Sequence, residues 1–434
     1  MFAGRGQRRA AAQQETETRV AICLPDDLPV DESLKSHIAA AVAPASAWLL
    51  TGSRVSVPPV GAVFALFPTV DTLHRLAAAV RDQRQGRDDG YPVLVVGLAP
   101  HQLTEFGRWL AEAAPTGEIE GLRLIVGQDP AQVLDQLADH LQPVYEPNVI
   151  AMPVSGEIDT PRIKYFYCLS PELRELLAYL AELAENNVSR IYLLGGPGAG
   201  KTSLAYYFHL CRKLGNFVTV NLTAEATHDK AAMKSLLCGH VSGAFPGAGS
   251  RTGAFSHARD GVCFLDESHG VSGTVMEVLM EALDSNQYLP YGASAKRPLD
   301  CAIVFASNRS WETLIASVNM DEHARLGAQI LHLPDLAVRR EDLVAVLAAT
   351  LHQMKSRSTS WVAPAGLSRA AWQAMCACPW RGNTRALIRV IETAFVTAAT
   401  ERASLIERHA VEAALALWEP STHASHDIYT RAGR

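Results

Sequence analysis

The feature that most constrains the fold of this chain is a glycine-rich loop between an apolar run and a helical pattern. The apolar run at residues 191–194 is followed by GGPGAGKT and then by SLAYYFHLCRKL. A strand, a tight glycine loop and a helix in this order predict an α/β fold with a phosphate-binding loop, because loop N–H groups and the helix N-terminus converge on one anion. A chance match in a purely structural loop is the alternative, and the two flanking elements argue against it.

In a phosphate loop of this type, the lysine reaches the β- and γ-phosphates of a nucleotide, and the next hydroxyl holds Mg²⁺. Here these positions are Lys201 and Thr202. ATP and Mg²⁺ are therefore the predicted cofactors. The residues predicted to bind the nucleotide are Gly195, Gly196, Pro197, Gly198, Ala199, Gly200, Lys201, Thr202 and Ser203.

A second apolar run, at residues 262–265, ends in two carboxylates, Asp266 and Glu267. A carboxylate at a strand end can bind a metal ion through its water shell, and its neighbour can act as a base toward attacking water. Alone, this pattern usually only ends a strand. Downstream of a phosphate loop it predicts hydrolysis of ATP to ADP and phosphate, with Asp266 beside Thr202 at the metal and Glu267 as the base.

The composition describes a globular protein without a membrane span. Of 434 residues, 48% are hydrophobic and 19% are charged, which suits two or three domains with cores of their own. A net charge of −6 gives no sign of general nucleic-acid binding. No apolar run approaches the roughly 18–20 residues of a membrane span, and the polar N-terminus has no signal core. The eight scattered cysteines are typical of reduced thiols, so we expect a cytoplasmic protein.

Apolar runs alternate with helical patterns in the first part of the chain. RVAICL, GAVFALF, PVLVVGL and LRLIV are typical of buried strands, which predicts a largely parallel sheet in an α/β domain. A Pro-rich stretch, a second α/β unit and a helical region follow. The predicted segments are a disordered tail (1–18), an α/β domain (19–145), a linker (146–164), an α/β core (165–334), a helical domain (335–419) and a second tail (420–434).

Three stretches of the chain carry a family resemblance. CGHVSGAFPGAGSRTGAFSHARDGVCFLDES is similar to an FGHxxGAFTGA loop followed by a GGTLFLDE strand. SPELRELLAYLAELAENNVSRIYLLGGPGAGKTS is similar to a leading helix with its phosphate loop, and CPWRGNTRALIRVIETA is similar to a WPGNxREL lid motif. In this order, over residues 165–418, they resemble the central domain of bacterial enhancer-binding proteins, the AAA+ activators of sigma-54 RNA polymerase.

The resemblance implies an architecture and a partner. It implies that the core is an AAA+ α/β domain with a parallel sheet, that the helical domain is its lid, and that the N-terminal α/β domain is regulatory. It also implies a homo-oligomeric ring, expected to be a hexamer, and sigma-54 RNA polymerase as the partner.

The resemblance further implies roles for four polar residues around the phosphate loop. Asn221 would be the switch that restrains Glu267, and Asn308 the sensor that orients water against the γ-phosphate. Arg385 would be the second sensor, and Arg325 an arginine finger that reaches the neighbouring subunit. Strand-end caps for the asparagines and ordinary surface ion pairs for the arginines are the alternatives.

The family's contact with sigma-54 corresponds to six residues, called the partner loop below: Gly243, Ala244, Phe245, Pro246, Gly247 and Ala248. Its glycines give mobility, and Phe245 gives an exposed apolar tip. A plain surface turn is the alternative. Pro246 replaces the family's usual Thr, and Asn319 stands where members commonly carry another arginine upstream of the finger. The proline leaves open how well the loop engages sigma-54.

The N-terminal domain is expected to be a degenerate receiver or another α/β sensor. Asp26 and Asp27 follow its first strand like the acidic pair of a receiver, although a solvated turn is the simpler interpretation. On the strand where a phosphoacceptor aspartate is expected, VLVVGLAP places Gly97, so we predict no phosphorylation. The polar stretch after Pro420 is too short for the helix-turn-helix with which most activators read DNA, so no direct DNA-binding domain is predicted.

Three functions are compatible with these patterns. The first is an ATP-driven ring that remodels sigma-54 RNA polymerase to permit promoter opening. The second is an AAA+ remodelling ATPase with an activator-like core that acts on a non-transcriptional partner, which Pro246 and the missing helix-turn-helix favour. The third is a nucleotide-binding scaffold with little turnover, and the intact Asp266–Glu267 pair argues against it.

Overall fold

The computed structural model describes residues 19–50, 57, 60–84, 92–113, 121–141, 151–153, 165–222, 230–268, 273–317, 329–357 and 362–419. Within them the chain is a mixed α/β protein with two five-stranded parallel sheets and a helical C-terminal region. This confirms the predicted fold class. The domain boundaries stay predictions, and the two predicted tails, Arg325 and Asn319 lie outside the described residues.

The first sheet is parallel, with the strand order β2-β1-β3-β4-β5. Its elements are β1 (Arg19–Cys23), α1 (Glu32–Val42), β2 (Ser46–Leu50), β3 (Ala62–Leu66), α2 (Val70–Arg84), β4 (Val93–Leu98), α3 (Leu103–Ala113), β5 (Leu122–Val126) and α4 (Pro130–Leu134), with 3-10 turns at Pro100–Gln102 and Leu137–His140. Alternate side chains of a strand enter opposite cores, as Val63 and Phe64 do in β3. The four predicted strands of this sheet are therefore confirmed.

Strand β2 was not predicted from the sequence. Its presence changes which strand is the central one, and so where a receiver's phosphoacceptor aspartate is expected. Its first three residues are exposed because β2 lies at the edge of the sheet, so SAWLL lacks a buried apolar run. With β2 counted, Gly97 lies on the fourth strand, β4, which ends at Leu98. The central strand of the sheet is β3, which ends at Leu66 before Phe67 and Pro68. Neither strand end carries a carboxylate. Asp26 and Asp27 lie in an exposed turn, in agreement with the simpler interpretation.

The second sheet is also parallel, with the strand order β16-β8-β15-β12-β9. Its region consists of β6 (Ala151–Pro153), β7 (Tyr165–Tyr167), α5 (Pro171–Glu185), β8 (Arg190–Leu194), α6 (Lys201–Arg212), β9 (Phe217–Asn221), α7 (Lys230–Cys238), β10 (Gly239–His240), β11 (Arg251–Thr252), α8 (Ala254–His257), β12 (Val262–Asp266), α9 (Gly273–Ser285), β13 (Gln287–Tyr288), β14 (Arg297–Pro298), β15 (Ala302–Ser307), α10 (Trp311–Ser317) and β16 (Gln329–His332). Because β6 pairs with β7, the predicted linker contains a strand.

The strand order of the second sheet gathers polar strand ends at one edge. All its strands run in the same direction, so their carboxyl ends meet there, where ligands of open α/β sheets bind. Leu194, the last residue before the phosphate loop, is opposite Ser307. Asp266 is opposite Asn221 on the neighbouring strand. The fold therefore places Asn221, Asp266 and Asn308 at the sheet edge that holds the phosphate loop.

The helical region consists of α11 (Arg340–Arg357), α12 (Arg369–Ala377), α13 (Asn383–Thr400) and α14 (Arg408–Trp418). Helix α11 is buried on nearly all sides from Glu341 to Leu351. A helix that is apolar all round is enclosed by other elements. Here α13 packs on α11 from within the lid, and α3 of the N-terminal domain packs along α11 as well. Lid and N-terminal domain therefore share one hydrophobic core.

Candidate functional site

Two elements pack closely against the phosphate loop, and they can do so because the loop residues that they contact are glycines. Gly200 precedes α6 with φ +110°, and a Cβ there would lie 2.6 Å from the Phe166 ring. Gly198 has φ +71°, and a Cβ there would lie 2.6 Å from the Gly382 carbonyl oxygen. Both φ values favour glycine in any surroundings. The loop is thus held between β7 on one side and the start of α13 on the other.

Lys201 lies in the first turn of α6 and folds back on the loop. Its Nζ donates to the carbonyl oxygens of Gly195 at 2.7 Å and Gly196 at 3.1 Å. Burial lowers the pKa of Lys201, while the carboxylates of Asp266 and Glu267 oppose this shift. The ammonium therefore sits near both carboxylates and is satisfied by loop carbonyls, which a phosphate can replace.

The two predicted catalytic carboxylates occupy a constrained turn at the end of β12. An Asp266 carboxylate oxygen accepts the N–H of Glu267 at 2.8 Å. Glu267 has φ +55°, a left-handed conformation that costs a non-glycine residue roughly 1 kcal/mol. Burial raises the pKa of Asp266, and the Glu267 N–H and Lys201 act against that. The Asp266 carboxylate thus holds the backbone of Glu267 at the end of β12.

Ser268, which the sequence gives no reason to single out, fixes the far side of this turn. Its hydroxyl is 2.5 Å from the Tyr192 hydroxyl and donates to the Ala306 carbonyl at 2.8 Å. Tyr192 lies on β8 and Ala306 on β15. The carboxylate turn is thereby tied to β8, which leads into the phosphate loop, and to the neighbouring strand β15.

Asn221 and Asn308 lie at neighbouring strand ends. Asn221 ends β9 opposite Asp266, and the next N–H, that of Leu222, donates to the Asp266 carbonyl oxygen at 3.0 Å. Asn308 directly follows β15 and is exposed. The preceding residue, Ser307, accepts the Gly195 N–H on its carbonyl oxygen at 3.2 Å. Both asparagines thus lie at the carboxyl edge of the sheet, next to the phosphate loop.

The start of α13, in the lid, contacts the phosphate loop directly. Asn383 donates from Nδ2 to the Pro197 carbonyl at 3.2 Å, and the Thr384 hydroxyl donates to the Gly198 carbonyl at 2.6 Å. The Arg385 Cβ lies 2.9 Å from the position that a Gly198 Cβ would take. The charge of Arg385 acts on Lys201 and Asp266. Asn383 and Thr384 were not singled out from the sequence, although both lie inside the lid motif.

The partner loop forms a tight turn in which Pro246 fits. The Ala248 N–H donates to the Phe245 carbonyl at 2.9 Å, and the Gly243 N–H donates to the Ala248 carbonyl at 3.0 Å. Gly247 has φ +80°. A four-residue turn with proline second and a left-handed glycine third has the features of a type II turn, which proline stabilises. The proline therefore suits the loop backbone. Relative to threonine it lacks the hydroxyl and the backbone N–H.

Phe245 rests on two aromatic neighbours while it stays 44% exposed. Its ring centroid is 5.0 Å from that of His240 and 6.4 Å from that of Tyr291. Ser235 Oγ lies 2.7 Å from His240 Nδ1 and fixes the orientation of the imidazole. Tyr291 lies between β13 and β14, so a second loop supports the first. The apolar tip is therefore held at the surface, where a partner can contact it.

The donor set fits a magnesium nucleotide. Among the residues that the structure describes, no group of three His, Cys, Asp or Glu side chains forms a metal site of its own. Mg²⁺ is usually held by one or two protein oxygens together with phosphate oxygens. Thr202 at the start of α6 and Asp266 at the end of β12 offer such a pair. Arg325 lies outside the described residues.

Comparison with known families agrees with this geometry. The family described as "Sigma-54 interaction domain" matches residues 167–330, and the family described as "AAA+ ATPase lid domain" matches residues 337–427. Over this region the chain belongs to the AAA+ family of sigma-54 activators. None of the described helices is long and apolar enough to cross a membrane.

Relatives of this activator family match about half of the chain. The Nif-specific regulatory protein of Herbaspirillum seropedicae is 32% identical over 243 residues, 55% of this chain and 43% of that protein. The alginate biosynthesis transcriptional regulatory protein AlgB of Pseudomonas aeruginosa is 34% identical over 236 residues, 52% of this chain and 50% of AlgB. The chain thus spans half or less of the length of these relatives.

A solved structure extends the likeness in fold to the N-terminal domain. The crystal structure of NtrX from Brucella abortus superposes with a TM-score of 0.51 at 18% identity, over 95% of this chain and 89% of NtrX. At this level of identity the two chains share their fold.

Proposed function

We propose that this chain is an ATPase that remodels sigma-54 RNA polymerase through the partner loop. The observation that carries the proposal is the convergence of Lys201, Asp266–Glu267 and Asn221 on one sheet edge, in a chain whose core belongs to the sigma-54 activator family. Arg385 approaches the same edge from the lid. Such an arrangement suits hydrolysis that is read out by a moving loop.

Each residue has a defined part in the proposed hydrolysis. Bound Mg-ATP supplies the phosphoanhydride bond that water cleaves. Lys201 would exchange its two carbonyl acceptors for phosphate oxygens and balance their charge, and Thr202 and Asp266 would hold Mg²⁺. Glu267 accepts the proton of the attacking water, and Asn308 orients that water. Arg385 contributes positive charge from the lid side.

Asn221 is the proposed start of the route to the partner loop. It lies beside Asp266 at the end of β9, and α7 is the next described helix along the chain. Helix α7 ends at Cys238, directly before β10 and the partner loop. Ion pairs Lys230–Glu277 and Lys234–Glu281 join α7 to α9. A shift of Asn221 between nucleotide states would therefore move a helix whose end carries the loop.

We further propose that the chain works as a homo-oligomeric ring, with Arg325 completing the site of a neighbouring subunit. A hexamer is the ring size that the family implies. The competing proposal, a remodelling ATPase with a non-transcriptional partner, rests on Pro246. The turn geometry weakens that argument, because the proline fits the loop and leaves Phe245 exposed.

Retention of sigma-54 on the immobilised chain tests the proposed partner. In the presence of an ATP transition-state analogue, we expect sigma-54 to be retained, and Phe245→Ala to reduce retention about tenfold or more, because buried aromatic tips dominate such contacts. Leu214→Ala, which removes another exposed apolar side chain, should retain sigma-54 like the wild type. No retention by the wild type or by Pro246→Thr would favour the non-transcriptional partner.

The turn geometry also predicts how Pro246 acts on the loop. Replacing Pro246 by Thr frees the backbone of the turn, so we expect the Ala248 amide to exchange its hydrogen about two- to fivefold faster. Gly247→Ala should accelerate this exchange further, because a φ of +80° is unfavourable for alanine. A Cβ at this position meets nothing within 4 Å, so the effect comes from the backbone conformation and not from a clash. Equal exchange rates in Pro246→Thr and the wild type would show that the proline does not stabilise the turn.

A further inference from the structure

The start of α11, together with the residue before it, buries three ionisable side chains. In the sequence RRED, Arg339 and Asp342 are each 1% exposed and Glu341 is 7% exposed, whereas Arg340 is exposed. Burying ionised groups is costly unless each of them is paired and hydrogen-bonded. Three buried ionisable side chains at the start of one helix therefore call for a specific role.

Arg339 contacts the phosphate loop directly. Its Nη2 donates to the Ala199 carbonyl oxygen at 3.0 Å. Its Nη1 lies 3.7 Å from Asp342 Oδ2, one turn along the helix. Ala199 stands between Gly198 and Gly200, the two loop glycines with left-handed φ. The guanidinium thus holds the loop at Ala199, where the two flanking glycines would otherwise leave the backbone flexible.

Asp342 ties the same turn to the residues before α5. One carboxylate oxygen accepts the N–H groups of Leu169 at 2.5 Å and Ser170 at 3.1 Å, and the other accepts the Ser170 hydroxyl at 2.5 Å. Asp342 is therefore held in place by three donors besides Arg339. It presents a fixed negative charge, which in turn orients the guanidinium toward the loop.

Glu341 connects this turn to the N-terminal domain. Its Oε2 accepts the N–H of Leu124 on β5 at 3.1 Å. His140, in the 3-10 turn after α4, lies 3.5 Å from Glu341 Oε1. Successive residues of one helical turn thus contact the N-terminal sheet and the chain before α5, while Arg339 contacts the phosphate loop.

We propose that Arg339 is a positioning residue for the nucleotide site, which holds the phosphate loop in its binding conformation through the Ala199 carbonyl. The proposal rests on the proposed ATPase function. In this arrangement the conformation of the phosphate loop depends on a contact with the lid as well as on the loop's own sequence. A purely structural ion pair with Asp342 is the competing account.

The double variant Arg339→Met/Asp342→Asn separates the two accounts. It removes both charges together, and Asn keeps a carbonyl for the N–H groups of Leu169 and Ser170, so no buried charge is left unpaired. We expect it to melt like the wild type. Loss of a hydrogen bond from a charged donor should raise the dissociation constant of a fluorescent ATP analogue about tenfold or more. The neighbouring Arg340→Met is the matched control and should bind like the wild type.

Arg339→Lys keeps the pairing with Asp342 but replaces the forked donor by a single ammonium. We expect unchanged melting with weakened analogue binding, and this variant decides the question if the double variant does not fold. Amide hydrogen exchange of the peptide 195–203 without nucleotide should be faster in both variants. Wild-type binding and exchange in a folded variant would overturn the proposal. If instead the wild type neither binds nor hydrolyses ATP, the proposed function fails, and the exchange data still test the hold on the loop.

Discussion

Replacing Glu267 by Gln is expected to reduce ATP hydrolysis at least about a hundredfold, because a positioned general base contributes that much or more. The Gln amide has the shape of the carboxylate but cannot accept the proton of the attacking water. ATP binding should stay within about threefold of the wild-type affinity, since the change removes an interaction made mainly in the transition state. Steady-state phosphate release and equilibrium binding of an ATP analogue measure the two quantities.

The position of Glu267 in the structure makes this substitution a clean one. Its backbone is fixed by the Asp266 carboxylate and by the Ser268 hydroxyl bonds, none of which involves the Glu267 side chain. Gln therefore inherits the same left-handed conformation. Glu175→Gln, at an exposed position of α5, provides the matched control and should hydrolyse ATP normally. Undiminished hydrolysis by Glu267→Gln would remove Glu267 from the proposed role of base.

The phosphate loop and the carboxylate turn are predictable because their chemistry is local in sequence. A lysine after a glycine loop, and two acids after an apolar run, carry their meaning in a few consecutive residues. The pairing of Asn221 with Asp266 is different, because it depends on which strands are neighbours. Sequence patterns do not fix strand order. The family resemblance implied that Asn221 restrains Glu267, and so placed Asn221 near the carboxylate turn, but it did not predict the pairing with Asp266.

The contacts between lid, loop and N-terminal domain were beyond the sequence patterns. By residue type, nothing indicates that Arg339, Glu341 and Asp342 are buried, since charged residues are rarely buried. Their burial follows from the seating of α3 on α11, which joins positions more than 200 residues apart, as in the hydrogen bond from Leu124 to Glu341. Two signals did exist. Helix α11 has no polar face over its central residues, and α3 carries Gly107 in its middle.

Replacing Gly107 by Ala is expected to destabilise the chain, although helix propensity alone predicts the opposite. In an isolated helix this change stabilises by about 1 kcal/mol. Here a Cβ on Gly107 would lie 2.0 Å from the Ala348 carbonyl oxygen and 2.5 Å from the Ala348 carbonyl carbon. Both atoms belong to the backbone of α11, so a rotamer change cannot relieve the clash. The helices α3 and α11 must separate, and we expect a net loss of about 2 kcal/mol.

The consequences of this separation reach beyond the helix crossing. Helix α3 makes two further polar contacts with the lid region. The Thr104 hydroxyl donates to the Pro364 carbonyl at 2.9 Å, and Glu105 pairs with Lys355 of α11 at 2.6 Å. Moving α3 weakens both and opens the second apolar face of α11 to water. Hydrogen exchange over α11 should therefore accelerate together with the loss of stability in denaturant. Far-UV spectra should stay unchanged, because each helix keeps its own hydrogen bonds.

Arg108→Ala is the matched control for Gly107→Ala, because it places the same side chain on the exposed face of the same helix. It removes only surface ion pairs with Glu105 and Glu112, so its effect on stability should be below about 0.5 kcal/mol. The sign of the Gly107→Ala effect decides the matter. A stabilised variant with unchanged exchange over α11 would mean that the N-terminal domain does not rest on the lid in solution. A destabilised variant would show that the N-terminal domain packs on the lid in solution, as α3 and β5 pack on α11 in the structure.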